Sequence, residues 1–476
     1  MPLTGHYIAA PLFQSLGSDF YDVVEPARFP KHILRYRNQR WAERIGLGHL
    51  GAVEWERHMV GFTPLPDNLP QPLAMRYHGH QFDVYNSQLG DGRGFLFAQL
   101  KGPEGRLLDL GTKGSGQTPY SRGGDGRLTL KGGVREVLAT EMLEALGVYT
   151  SKSLSLFETG ESLIRGDEPS PTRSSVLVRL NHSHVRIGCF QRQLHHNNRQ
   201  AIQALLDYSI ENLLPSLKGH DDLPLAFLHE VCRLSARLCA QWLVAGFVHG
   251  VLNSDNMTVT GESFDYGPYR FLPYYDPSFV AAYFDHTGLY AYGHQPRAVF
   301  KNMARLAQCL SVLDPGAPWG DRLNHFMPQL RRYRVDACLR RLSVAPINDA
   351  ADEVLADSCW DYLAEKHVGF DDFFFDWWGG AASKQRACEG PRKASYAMAN
   401  FLPLKEQLLA RQPRDPVPLS SAYFQQDNPC RLLIEDVEGI WDAISQHDDF
   451  SPFDAKIGAI RQMGEALALR TENPGA

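Results

Sequence analysis

Near residue 197 the hydrophobic pattern of the chain changes period, and that change divides the fold. Between residues 76 and 180 the apolar runs are short or alternating: FLFAQL (95–100), RLLDLG (106–111), SLSLF (153–157) and VLVRL (176–180). Successive side chains of a strand point to opposite faces, so runs of this length and pattern predict β-strands. One helical stretch interrupts them, residues 134–146, with Val134, Leu138, Met142 and Ala145 on one face and Gly147 as a stop. Beyond residue 197 apolar residues recur every three or four positions, most clearly at Leu228, Val231, Leu234, Leu238 and Trp242 ahead of Gly246. A second such helix is expected over 299–313, with Met303, Leu306 and Leu310 on its apolar side. From 316 to the end the pattern is mostly helical, broken at Trp377-Trp378-Gly379-Gly380 and at RQPRDPVPLS (411–420), which reads as a linker. The expected class is therefore α+β, with a small β-rich lobe carrying one key helix over 76–190 and a helical lobe over 191–315. A mainly helical extension follows over 316–476, and residues 1–75, rich in Pro, Gly and aromatics, read as an extended N-terminal segment packing on the core.

Composition removes several classes of function. Hydrophobic residues at 43% and charged residues at 21% are ordinary for a globular protein, and 476 residues leave room for a large core. With 48 basic against 54 acidic residues, a net charge of -6 gives no general attraction to nucleic acid or to an anionic membrane. No apolar run approaches the length of a membrane span. The eight cysteines (Cys189, Cys232, Cys239, Cys309, Cys338, Cys359, Cys388 and Cys430) are scattered, without the paired spacing of a zinc site, which predicts a reduced protein. The opening MPLTGHYIAAPLFQSLGSDF has neither a basic n-region nor a long apolar core, so a cytoplasmic location is expected. Nothing in the sequence calls for assembly, and a monomer is expected.

The chemistry concentrates in HGVLNSDNMTVTGESFDYGP, residues 249–268. In the kinase pattern a His-x-Asp is followed by Asn five positions after the Asp, and a later Asp-Phe-Gly supplies a second metal ligand. His249 and Asn256 hold these places, and Asp265-Tyr266-Gly267 resembles the Asp-Phe-Gly. The base position is Val251, which cannot accept a proton, but Asp255 beside Asn256 is a candidate substitute. Asn256 and Asp265 offer the hard oxygens that magnesium prefers.

Four further features meet the demand of phosphoryl or nucleotidyl transfer for position and positive charge. The GDGRG run contributes Gly90, Gly92 and Arg93, glycines that let backbone N–H groups approach phosphate and a cation beside them. Lys113 follows a predicted strand and Glu136 lies in the next helix, the order by which kinases fix a lysine against nucleotide phosphates. Between them the Gly-rich stretch KGSGQTPYSRGGDGR (113–127) brings Asp125 and Gly126 as further candidates. Arg179 and Arg186, near a sheet edge, have the planar fork that binds anionic oxygens bidentately. A protein-kinase-like two-lobed fold accommodates all of them in this order.

With these motifs assembled, the sequence resembles the selenoprotein O (YdiU) family of kinase-like protein adenylyltransferases. The resemblance runs over residues 77–310 and is carried by YHGHQFDVYNSQLGDGRG, LGTKGSGQTPYSRGGDGRLTLKGGVRE, SHVR and HGVLNSDNMTVTGESFDYGP. It implies a fold that holds ATP reversed relative to ordinary kinases, so that AMP passes to a Ser, Thr or Tyr hydroxyl of a protein substrate or of the enzyme itself, with Mg2+ or Mn2+ as metal. It further implies that Lys113, paired with Glu136, contacts ATP along with Gly90, Gly92, Arg93, Asp125 and Gly126, and that Arg179 and Arg186 take the terminal phosphate. Asp255 would then accept the proton, and Asn256 and Asp265 would ligate the metal, Asp265 also facing the nucleotide. Two departures stand out: HQFD with Asp83 where the family pattern is HQFG, and no cysteine in DPSFVAAYFDH (276–286) or near the end, which argues against a redox-regulating disulfide there. The alternatives are a conventional kinase and a nucleotide-binding pseudokinase without turnover.

Overall fold

The apolar runs of the first half pair into one antiparallel sheet of eight strands, in a computed structural model that describes residues 6–166, 168–414 and 419–469. In chain order come β1 (Tyr21–Val23), β2 (Ile33–Arg37), helices α1 (Gln39–Arg44) and α2 (Ala52–Met59), and β3 (Leu73–Met75). A small separate hairpin, β4 (Gly79–Gln81) and β5 (Val84–Asn86), follows. Then β6 (Leu96–Lys101), β7 (Leu107–Lys113), the short β8 (Leu128–Thr129), helix α3 (Leu130–Ala145), β9 (Lys152–Leu163) and β10 (Thr172–Asn181) complete the sheet. The spatial order is β1-β3-β6-β7-β10-β9-β2, with β8 against β10. All four runs read as strands are strands.

Residues 1–75 are not simply a lead-in that packs on the core: their described part supplies three strands of the sheet, two of them at its ends, and two helices. Strands of three to five residues show too few side chains for alternation to be legible, and their backbone groups are satisfied only by the longer strands they join. Both faces of the sheet are covered. Along β10, Val176, Val178 and Leu180 pack under Trp41, Trp55, Phe62 and Phe97, whereas Leu177 packs with Leu156 on the side of α3. A strand buried on both faces reads as a continuous apolar run, as VLVRL does.

Helix α3 begins four residues before the expected start, because Thr129 caps it by accepting the Gly132 amide at 3.1 Å. Gly133 lets the helix lie against the sheet, since a Cβ there would stand 2.4 Å from Leu156. Helices α4 (Ile187–His195), α5 (Arg199–Asn212) and α6 (Leu223–Val244) follow. Helix α6, buried over most of its surface, ends at Val244, just ahead of Gly246, and delivers the chain through β11 (Phe247–Val248), paired with β12 (Arg270–Phe271), to His249. Helices α7 (Gln295–Leu310), α8 (Trp319–Asn324) and α9 (Phe326–Leu342) pack on or beside α6.

The remaining helices are α10 (Asp349–Ala364), α11 (Phe370–Asp376), α12 (Lys384–Glu389), α13 (Lys393–Tyr396), α14 (Leu402–Leu409), α15 (Ile434–His447) and α16 (Ser451–Leu467). Of the linker expected over 411–420, residues 415–418 lie outside the described residues, and Arg411 is buried and paired with Asp352. The last two helices return to the sheet. Arg461 of α16 grips Glu141 of α3 at 2.8 and 2.9 Å, and Lys131 at the start of α3 reaches Glu438 of α15 at 2.6 Å. Among the described residues no helix is long and apolar enough to cross a membrane.

Candidate active site

Strand β7 ends on Lys113, and its antiparallel register with β10 places Lys113 opposite Leu177 and Gly111 opposite Arg179, so the two cations come from neighbouring positions of adjacent strands. The lysine ammonium donates to Glu136 of α3 and, at 2.5 Å, to Asp265 Oδ1. Arg179 of β10 reaches the same Oδ1 at 3.3 Å. Glu136 is 1% exposed and its Oε2 has no partner, so the buried carboxylate depends on Lys113 for its charge balance. Burial alone would raise the Asp265 carboxyl, but Lys113 and then Arg179 override it and hold the group well below the ordinary carboxylate range. Asp265 adopts a left-handed backbone, φ 67°, and its side chain keeps 28% exposure toward open space. The segment before it is anchored by His249, whose buried ring bonds the Phe264 carbonyl at 3.0 Å. Burial lowers the pKa of that imidazole, so it is neutral and donates from Nε2.

These side chains lie at a cavity of about 720 Å3, a size suited to a nucleotide. Of the residues singled out in the sequence, Gly90, Gly92, Arg93, Lys113, Asp125, Gly126, Arg179, Arg186, Asp255, Asn256 and Asp265 all line it, and Glu136 stands immediately behind Lys113. Positions up to 175 residues apart thus converge on one space.

Several stand there for reasons the sequence did not reveal. The arginines are not solvated surface charges at a sheet edge: Arg179 lies on β10, between β7 and β9, Arg186 directly precedes α4, and they are 4% and 5% exposed. Arg186 contacts Asp91 at 3.2 Å and lies over the ring of Tyr77 at 4.3 Å. Gly90 is required by Tyr120, whose ring would stand 2.3 Å from a Cβ at that position. Asp125 is tied to Arg165 at 2.8 Å on the cavity rim. Tyr77, Asp91, Tyr120 and Arg122 also line the space and were not singled out. Asp91 was in view inside GDGRG, but only the glycines and arginine of that run matched a phosphate-binding rationale.

Asp255 sits in a 3-10 turn, Ser254–Asn256, and is 8% exposed. Burial pushes its carboxyl up to about 6, against the opposing pull of Arg186, and its Oδ1 has no hydrogen-bond partner. An unpaired buried carboxylate oxygen beside a cavity is suited to accept a proton from an incoming group. Asn256 donates its amide nitrogen to the Val251 carbonyl at 3.0 Å, which leaves its oxygen as the donor atom for a cation. Among the described residues no group of three or more His, Cys, Asp or Glu side chains is arranged to hold a metal ion, and the pair Asn256 and Asp265 fits a magnesium ion that takes its other oxygens from phosphate and water.

The profile of the family described as Protein adenylyltransferase SelO matches residues 6–461. The chain belongs to the SelO family. Membership makes it a nucleotidyltransferase, with ATP as the source of the adenylyl group. Among curated relatives it is similar to the Protein nucleotidyltransferase YdiU of Synechocystis, 43% identical over 463 residues that cover 93% of this chain and 95% of that one. The YdiU protein of Gloeobacter violaceus is 44% identical, with 95% and 94% covered, and that of Synechococcus elongatus 41% identical along the full length of both chains. The SelO match extends through the helical C-terminal region, well beyond the motifs at 77–310. At Asp83, where the family pattern expected from the sequence has Gly, the backbone is left-handed, φ 63°. Asp tolerates that conformation better than most residues, and here it pairs with Lys301 and, at 2.6 Å, with Arg305.

Proposed function

We propose that the cavity binds ATP with a divalent cation and transfers AMP to Ser, Thr or Tyr hydroxyls of proteins, including this chain itself. The observation that carries the reading is the Lys113 ammonium held between Glu136 and Asp265 on the wall of a cavity that also presents Arg179, Arg186, Asp255 and Asn256. Asp255 accepts the hydroxyl proton as the substrate oxygen bonds to the alpha phosphorus. The bond from that phosphorus to the bridging oxygen of the beta phosphate breaks, and pyrophosphate leaves. Lys113, Arg179 and Arg186 offset the charge gathering on the phosphates, and Arg93, Asp125 and the Gly90, Gly92 and Gly126 backbone complete the nucleotide's surroundings. Asn256 and Asp265 would hold Mg2+ or Mn2+, which would supply further positive charge to the phosphates.

A kinase-like two-lobed architecture with reversed nucleotide accounts for Val251: with the alpha phosphate at the reaction centre, the ordinary base position is no longer beside the incoming hydroxyl. The antiparallel sheet, the single helix bearing Glu136 and the helical part bearing the 249–267 segment support that architecture. The same reading divides the chain near residues 75, 190 and 315, and takes the protein as a cytoplasmic monomer. The test is incubation with ATP labelled at the alpha or the gamma phosphate, with Mg2+ or Mn2+, followed by intact-mass spectrometry. The expected product carries alpha label and the mass of one AMP per modified hydroxyl. Gamma label alone on protein would establish a conventional kinase, and no product would leave a nucleotide-binding pseudokinase.

A further inference from the structure

The turn that carries Asp255 has an unusual weakness for a catalytic segment: Oδ1 of the acid is buried without a hydrogen-bond partner, so that oxygen gives the carboxylate no anchor. Apart from a long bond from Arg186 to the Asp255 carbonyl at 3.4 Å, the acid's position is inherited from the two residues before it, and both are tied down by segments distant in sequence. Ser254 is fully buried. Its Oγ accepts the His80 amide at 2.8 Å and donates to Gln191 Oε1, and Gln191 Nε2 in turn donates to His80 Nδ1 at 2.7 Å. Three segments, β4, α4 and the catalytic turn, thus share a closed circuit in which each bond orients the next.

One residue earlier, Asn253 Oδ1 accepts from the Phe82 amide at 3.2 Å and from the Tyr290 hydroxyl at 2.6 Å. The hairpin lies directly on the acid, since a Cβ at Gly79 would stand 3.0 Å from Asp255 Oδ1 and 3.2 Å from Ser254 Oγ. We propose that Gln191, through Ser254 and His80, is a positioning residue that fixes Asp255 for proton transfer. The same circuit accounts for the His-Gly-His-Gln segment, 78–81, as the plate against which the catalytic turn is clamped. The inference rests on the reading of Asp255 as proton acceptor, but its geometric half does not.

Reacting groups displaced by an ångström from productive geometry lose on the order of a hundredfold in rate, whereas ATP is held mainly by cations on other elements. Gln191→Met is therefore expected to lower kcat for AMP transfer ten- to a hundredfold while the dissociation constant for ATP with Mg2+, measured by equilibrium dialysis, stays within about threefold. Ser254→Thr and Ser254→Val have nearly the same shape and differ in the hydroxyl, so Thr should retain most of kcat and Val should not. Hydrogen exchange at the 252–257 amides, read without turnover, should accelerate in Gln191→Met while exchange in α6 stays unchanged. Unchanged kcat together with unchanged exchange at 252–257 would overturn the proposal, as would an equal loss of ATP affinity. If the wild-type chain transfers no AMP, the functional reading fails, and the exchange measurement still decides whether Gln191 fixes the turn.

Discussion

Lys113 serves two acids at once, and that arrangement sets the response to substitution at the centre of the cavity. Asp265 Oδ1 takes both Lys113 and Arg179. On the proposed reading, phosphates in the cavity would draw the two cations and free Asp265 for a metal ion. Asp265→Ala should therefore abolish metal-dependent AMP transfer by at least about a hundredfold in kcat/KM, and Lys113→Met should act similarly while leaving Glu136 buried and unpaired. Alpha-label transfer measures both, and activity unchanged in Asp265→Ala would remove this site from the chemistry. A second buried acid bears on stability. Burial pushes Glu262 up to about 7 from an ordinary 4.5, against the lowering effects of the His182 amide and of Arg106. A carboxyl raised in the folded state contributes stability that is complete below about 4.5 and lost as pH rises through about 7. Glu262→Gln should thus gain on the wild type between those values, by up to about 3 kcal/mol in urea unfolding at the upper end, and show a correspondingly shallower loss of stability with rising pH. The Glu136 partner of Lys113 was legible in sequence because the chemistry demands an acid on the following helix, whereas Asp265 was read there as a metal ligand and its contact with Lys113 came from the structure. The partner of Arg186 was not legible: Asp91 stands 95 positions away in a turn that no motif connects to it.

Helix α3 is buried on two sides, against the sheet through Leu138 and Val134 and under α16 through Glu141 and Ala145. Glu136 can meet Lys113 only while the helix stays seated, so α15 and α16 brace the catalytic pair from outside. Arg461→Met removes the main partner of Glu141, which is 3% exposed, and should cost about 1–3 kcal/mol. The same substitution should weaken ATP binding and speed hydrogen exchange in α3, although Arg461 does not line the cavity. Normal exchange in α3 would show that the sheet alone seats it. The end of α6 was legible, where apolar spacing runs unbroken to Trp242 ahead of Gly246, but its start at Leu223 was not, nor was the first turn of α3 at Gly132-Gly133, whose close approach to the sheet mimics a loop in sequence. The brace was illegible for a different reason: α16 shows the spacing of any amphipathic helix, and nothing in it names the helix it covers.

One hydrophobic cluster includes Ala10, Leu177, Trp242, Phe374 and Leu467, so sheet and helices share a core. Heat should unfold the chain in a single transition, and ATP with Mg2+ at 100 times its dissociation constant should add about 2.7 kcal/mol, seen in calorimetry as a rise in Tm. Two separate transitions would mean that the shared core does not couple the parts. The fold class followed from the change of hydrophobic period, and the convergence of the cavity residues from motif order. The topology did not, because the sheet's outer strands come from a segment without periodicity. The ion pair between α3 and α16 spans 320 positions. During synthesis on a ribosome, the helix bearing Glu136 emerges long before Arg461 has been translated. A nascent chain therefore holds its lysine and glutamate without their outer support until α16 has left the ribosome, so the last brace of a protein-modifying centre is set only after every cavity residue has been made.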